Sequence, residues 1–331
     1  MRVLITGATG CVGRNLTEFL METERYAVTA TGRIAILGAE IFATGTRFIS
    51  ADLCVGDEAL ALVAGQDIVV HCAALSSPWG RFRDFHAANV EATRNVIRAC
   101  LASGVRRLVH LSTPSIYYDG RPRRGLTEEA PVASRFVNSY TATKWTAECE
   151  VLNIPASHLE TIVLRPRAVY GKYDRAIVPR IRNVAQRGVF PLIDGGSALV
   201  DVTSVNNVAR AVIAAIEAPS GALGRAYNIT DGEPVKVLSL LNELFSGMGL
   251  SVRYRKIPLA VARIAGTLSE LAYGVLPGSL EPPITRYTLA VMGLDQTFNI
   301  TAARHEIGYE PVGETLCALH ECGRWWRAQN D

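Results

Sequence analysis

The chain opens on a short apolar run, Val3 to Thr6, then a turn, Gly7-Ala8-Thr9-Gly10-Cys11-Val12-Gly13, then apolar residues at Leu16, Phe19 and Leu20. A compact apolar run giving way to spacings of three and four predicts strand, turn and helix in that order. Further runs predict strands over residues 27–31, 47–49, 67–72 and 107–112. The run from Asp67 to Cys72 is nearly all apolar, as expected of a strand covered on both faces. Trp79 to Phe85 reads as a polar and aromatic loop, and Val90, Val96, Ile97 and Cys100 predict a helix that begins at Asn89.

Strands alternating with helices predict an α/β fold, a doubly wound parallel sheet of the Rossmann type. After Gly171 the alternation becomes irregular, with helices expected over 177–187 and 208–217 and strands over 198–205 and 226–229. Residues 1–171 are therefore expected to form a dinucleotide-binding unit to which about 198–230 returns. Residues 172–331 would form mainly a smaller, mixed α/β substrate lobe. Pro258 to Leu276 is apolar but interrupted by Arg263 and Glu270, short of the roughly 20 apolar residues that span a bilayer. An amphipathic lid over an apolar pocket is expected there, with no stable membrane span.

Composition narrows the class. With 331 residues, 49% of them hydrophobic, the chain can bury a large core. A net charge of +3 is too mild to argue for nucleic acid, and Arg121-Pro122-Arg123-Arg124 reads as a solvated loop. The seven cysteines are scattered without the close pairings of zinc or redox motifs. No metal site is expected, and the cysteines read as buried apolar residues in a reducing compartment. The N-terminus runs into a strand without the apolar region of a signal peptide, so a cytoplasmic location is expected.

The glycine turn carries the first chemistry. Gly7 permits the tight turn, Gly10 lets the backbone approach a pyrophosphate, and Gly13 lets the helix pack closely on the strand. With Thr9, Cys11 and Val12 they are the candidate phosphate-binding residues, at a helix N-terminus. The second strand ends in Gly32-Arg33, where an acid would meet the ribose hydroxyls of NAD. Arg33 can instead pair with a 2′-phosphate, which favours NADP while leaving NAD possible. Asp52 and Leu53, after the third strand, are candidates for the adenine edge, although an Asp there also serves as a cap. In His71-Cys72-Ala73-Ala74 the small Ala73 and Ala74 let the backbone approach a cofactor, and His71 reads as a core residue.

Ser139-Tyr140-Thr141-Ala142-Thr143-Lys144 carries the second. On a helix Tyr140 and Lys144 share a face, so the ammonium can favour the ionised phenol and turn it into a usable acid or base.

Taken in order, Thr6 to Gly13, His71 to Ala74, Asn89-Val90, Leu111-Ser112-Thr113, Tyr140 to Lys144 and Leu164-Arg165-Pro166-Arg167-Ala168-Val169-Tyr170-Gly171 resemble the extended short-chain dehydrogenase/reductase superfamily. Asp201 to Asn207 and Glu306 to Pro311 extend that resemblance into the second half. The resemblance implies that Thr113, with Ser112 as fallback, hydrogen-bonds the substrate oxygen and that Tyr140 is the acid or base. It also implies that Lys144 binds the nicotinamide ribose and depresses the phenol's pKa, and that the Pro166 backbone meets the carboxamide. A homodimer is expected. Pro114-Ser115 stands where sugar 4,6-dehydratases carry Asp-Glu, which argues against elimination chemistry.

Leu259 to Leu276 and Pro282 to Tyr287 are similar to the 3β-hydroxysteroid dehydrogenase branch, which includes bacterial 2-alkyl-3-ketoalkanoate reductases. The expected activity is an NADP-preferring oxidoreductase moving a hydride between nicotinamide and a carbonyl or secondary alcohol of a hydrophobic substrate, a 3-keto acid or sterol-like molecule. Should it be a keto acid, Arg81, Arg83, Arg167, Arg175 and Arg286 are candidates to hold the carboxylate. The alternatives are a nucleotide-sugar epimerase and a non-catalytic NADP-sensing regulator.

Overall fold

The computed structural model describes residues 1–42, 45–274 and 281–329. Its centre is a seven-stranded sheet made of β1 (Arg2–Thr6), β2 (Ala27–Gly32), β3 (Arg47–Ser50), β4 (Ile68–His71), β5 (Arg107–Leu111), β6 (Glu160–Pro166) and β7 (Arg225–Ile229). The strand order is β7-β6-β5-β4-β1-β2-β3, and every neighbouring pair is parallel. The doubly wound parallel sheet read from the pattern is the observed fold. Its order reverses at β1, where open sheets of this kind leave a crevice at the carboxyl ends of the strands.

Alternation along β1 explains why both faces are covered. Val3 and Ile5 pack with Leu16 and Leu20 of α1 (Cys11–Glu22), whereas Leu4 packs with Val69, Val96 and Leu108 on the opposite face. Every residue of β4 and of β5 is buried, which accounts for the nearly all-apolar run of β4, while β5 also buries Arg107 and His110.

The loop expected over 79–85 is partly helical. Phe82–Phe85 forms a short helix that passes through a wider π turn, His86–Glu91, into Ala92–Ser103. Asn89 sits in that turn. Its side chain accepts from Leu75 N at 2.7 Å and donates to Thr143 Oγ1 at 3.0 Å, so the irregular turn joins the segment after β4 to α2 (Ser139–Leu152).

The strand expected over 198–205 is two pieces, Leu199–Val200 and Thr203–Ser204, in different sheets. Asp201 divides them because its carboxylate accepts from Phe298 N at 2.8 Å. Ser204 then caps α3 (Val205–Glu217) by accepting from Asn207 N at 3.2 Å, so that helix starts three residues earlier than the apolar spacing suggested.

The apolar stretch after Pro258 forms α4 (Leu259–Gly274), while Val275 and Leu276 lie outside the described residues. Four of its large apolar side chains point away from the rest of the protein. Val261, Ile264, Leu268 and Leu271 are 55–65% exposed. Leu259, Arg263 and Thr267 instead face a cavity of ≈ 580 Å³ shared with Tyr118, Arg286 and Leu289. Arg263 donates to the Gly120 carbonyl at 2.6 Å and Glu270 pairs with Arg286 at 2.6 Å, so polar contacts hold the inner face of the helix. The following helix, α5 (Arg286–Gly293), is capped by Thr285, which accepts from Thr288 N at 3.1 Å. No helix among the described residues is long and apolar enough to cross a membrane.

Candidate active site

The glycine turn is shaped by contact. Gly7 has φ +67°, and a Cβ there would lie 2.7 Å from Ala73 Cα. A Cβ on Gly13 would lie 2.4 Å from the Gly7 carbonyl oxygen, so any side chain would push α1 away from β1. Thr9 packs against Gly32 at the end of β2, where a Cβ would meet its Oγ1 at 2.7 Å. Gly10 is the N-cap of α1, with no side-chain cap and no acidic residue in the first turn. The first amides of the helix, from Cys11 and Val12, therefore keep their donors for a ligand. This cradle fits a dinucleotide pyrophosphate.

The neighbouring candidates fall along the same edge. Ala73 N donates to Thr6 Oγ1 at 3.2 Å, tying the end of β4 to β1, with Ala74 exposed beyond it. Pro166 closes β6, buried opposite Ile229. Arg33 is exposed just past β2, near Cys54, whose thiol is pushed up first by burial and then by Asp52, with Arg33 opposing. Asp52 is occupied locally, its Oδ1 accepting from Cys54 N at 3.0 Å while its own amide donates to Glu58. Leu53 is buried. His71 is the satisfied core residue expected: Nδ1 meets Thr6 Oγ1 at 2.8 Å and Nε2 meets Thr93 Oγ1 at 3.0 Å. Burial pushes its pKa down to about 3.

Tyr140 and Lys144 stand in the first turns of α2, which Asn138 caps by accepting from Thr141 N at 2.9 Å. The Tyr140 phenol lies near Thr113, whose hydroxyl favours its ionised form. Thr113 in turn donates to Ser115 Oγ at 3.0 Å, and Ser115 Oγ lies 3.1 Å from the hydroxyl of Tyr287 on α5. Four hydroxyls from three remote parts of the chain thus converge at the carboxyl edge of the sheet. Spacing brought Tyr140 to attention and the family resemblance Thr113; Ser115 and Tyr287 carry no local signal of their part in this chain of contacts.

Lys144 differs from expectation. Its buried ammonium donates to the Leu111 carbonyl and meets His110 Nε2 at 3.2 Å. Burial pushes its pKa down to about 8, against the pull of Glu148 one turn along. The phenol of Tyr140 is shifted upward, first by burial and then by Tyr287, with the Thr113 hydroxyl opposing. The expected depression by Lys144 is absent in this state because the lysine side chain reaches toward the sheet rather than along the helix.

Nearby, Glu148 and Arg165 form a fully buried ion pair that also engages the Tyr117 hydroxyl. Of the five arginines considered for a carboxylate, Arg81, Arg83 and Arg175 are exposed and Arg286 is paired with Glu270. Arg167, directly after Pro166, is buried.

Residues 3–230 match the model of the NAD dependent epimerase/dehydratase family. The chain is 35% identical over 316 residues to a 2-alkyl-3-oxoalkanoate reductase of Stenotrophomonas maltophilia, covering 94% of this chain and 95% of that protein. It is 32% identical over 334 residues to 3beta-hydroxysteroid-dehydrogenase/decarboxylase isoform 1 of Arabidopsis thaliana, covering 93% and 76%. A solved UDP-glucuronic acid 4-epimerase from Bacillus cereus in complex with NAD superposes with a TM-score of 0.77 over 99% of both chains at 21% identity, a likeness of fold. An NAD(P)-dependent oxidoreductase class is what this fold and these relatives define. The chain belongs to the NAD dependent epimerase/dehydratase family, among the extended short-chain dehydrogenases/reductases with a 3β-hydroxysteroid dehydrogenase-like branch.

Proposed function

We propose that the protein is an NADP-preferring ketoreductase acting on a hydrophobic 3-oxo compound, with Tyr140 as general acid. The observation that carries the reading is the hydrogen-bonded chain Thr113, Ser115 and Tyr287 with the Tyr140 phenol beside it, at the same sheet edge as the glycine cradle. Bound nicotinamide supplies the hydride.

The chain's own residues do the rest. Gly7 to Gly13 hold the pyrophosphate on backbone amides, Arg33 takes the 2′-phosphate, and Lys144, with the Pro166 backbone, positions the nicotinamide end. Thr113 and Tyr140 direct hydroxyls at the carbonyl oxygen, polarise it, and stabilise negative charge as it develops. Tyr140, protonated because burial disfavours its phenolate, gives its proton to that oxygen. Residues 172–331 outside the main sheet, α4 and α5 included, form the substrate side of the cleft. The names of the reductase and sterol-dehydrogenase relatives support an apolar substrate.

The test is kcat/KM with NADPH over 2-alkyl-3-oxo acids and 3-ketosteroids of increasing size, beside UDP-sugars. Each added methylene in contact should contribute up to about 0.8 kcal/mol until the site is full. A flat response to size together with turnover of a UDP-sugar would replace this reading by an epimerase.

A further inference from the structure

Arg167 follows the last residue of β6 and precedes Ala168, whose φ of +42° lies in the left-handed region. That backbone is uncommon for a residue with a side chain and is characteristic of sites where a neighbouring group must be aimed. The Arg167 main chain is tied down on both sides, its amide donating to the Ile229 carbonyl and to Thr203 Oγ1. The side chain is 3% exposed. Its Nε and Nη2 have no hydrogen-bond partner among the described residues.

A guanidinium carries five N–H donors and stays charged, and a buried charge without a hydrogen-bonded partner is strongly unfavourable. Asp201 is near enough to act on Arg167 electrostatically, but its Oδ2 accepts from Phe298 N. Arg167 stands just past the carboxyl end of β6 and Thr113 just past that of the neighbouring β5, so the two lie on the same edge of the sheet. Arg165, two residues earlier, shows the contrast. It is equally buried, yet Glu148 and Tyr117 satisfy it.

We infer that Arg167 is the residue that receives a carboxylate of the substrate, held beside the carbonyl that Thr113 and Tyr140 polarise. The inference rests on the ketoreductase reading for the position of the carbonyl. The anion itself is argued from the unpartnered guanidinium alone. A carboxylate matches that planar fork with two parallel hydrogen bonds, so the protein selects a keto acid over the ester or the methyl ketone of equal chain length. The cation is thereby a determinant of specificity.

The experiment compares the full-length protein with Arg167→Gln and Arg167→Lys, each first checked for an unchanged melting temperature. The first readout is the ratio of kcat/KM for a 2-alkyl-3-oxo acid to that for its methyl ester. In the unaltered protein the acid should lead by roughly tenfold to a hundredfold, the scale of a charge-assisted hydrogen-bonded pair. Arg167→Gln should bring the ratio close to one, with Arg167→Lys in between. A parallel fall for acid and ester would make Arg167 structural and overturn the inference. So would a weakened NADPH affinity with the ratio intact, because the anion would then be a cofactor phosphate.

The second readout needs no turnover. It is calorimetric titration of the NADP-loaded protein with a long-chain carboxylate and with its primary amide. Carboxylate-selective binding that Arg167→Gln abolishes, in a protein that reduces neither keto compound, would retain the anion site and reject the reductase reading. Equal binding of acid and amide would reject the anion site itself.

Discussion

Lys144 donates its buried ammonium to the backbone carbonyl of Leu111, the last residue of β5, and so pins the Tyr140 helix to the sheet from below. The same contact places the charge beside His110 and keeps it out of water. Its folded pKa of about 8 lies under the ordinary 10.5. Between those values the folded protein has released a proton that the unfolded chain still holds, so stability contributed by this group rises with pH. Relative to Lys144→Met, the ligand-free protein should gain up to roughly 3 kcal/mol from pH 8 to 10.5. Urea unfolding of both proteins across that range measures it; parallel curves would mean that the ammonium is not desolvated.

Tyr140→Phe keeps the ring and removes the hydroxyl proposed to give its proton to the substrate oxygen. Turnover should fall by something like 10²-fold or more, while the dissociation constant of NADPH should change little because the glycine cradle is untouched. Steady-state kinetics paired with fluorescence titration of the cofactor separates the two. Near-normal turnover would remove Tyr140 from the chemistry.

Arg33 stands exposed at the end of β2 with no acid in its place. NADPH should therefore bind more tightly than NADH by roughly tenfold to a hundredfold, the worth of one charge-assisted phosphate contact. Arg33→Ala should erase the difference by weakening NADPH alone. Equal affinities in the unaltered protein would show that the side chain is merely solvated.

The two buried histidines set the acid limit. His71 is held neutral with its pKa near 3, and His110 is also driven well below 6.5, in both cases first by burial. Below pH 6.5 the unfolded chain takes up protons that these rings refuse, so stability should fall as pH drops from 6.5 toward 3. The acid slope should approach two protons, and His110→Asn should lower it toward one. An unchanged slope in that variant would show that His110 already charges in the folded state.

How far the sequence could be read depended on the range of the interactions involved. The turn from Gly7 to Gly13 was legible because its demands are local: a left-handed backbone at Gly7 and a helix pressed on a carbonyl at Gly13. The buried strand β4 was legible from its apolar run. The break at Asp201 was not, because the amide that engages its carboxylate lies 97 residues away. Lys144 was placed correctly on its helix but assigned the wrong neighbour, since i, i+4 spacing fixes a shared face and not where a long side chain ends. Apolar content after Pro258 did not tell the two faces of α4 apart: Leu259 faces a cavity with Leu289, whereas Val261, Ile264, Leu268 and Leu271 lie exposed on the outer face.

The hydrogen bond between Ser115 and Tyr287 joins residues 172 positions apart. At synthesis rates of about 5–20 residues per second, roughly ten to thirty seconds separate the appearance of the two on a ribosome. The matched family region ends at residue 230, so even a nascent chain with all seven strands of the main sheet made has not yet acquired Tyr287. Until then the edge that Ser115 and Tyr287 close together lacks one of its two partners. Assembly of the pocket is thus a late event in the life of each molecule, timed by the length of the chain rather than by the speed of forming any strand.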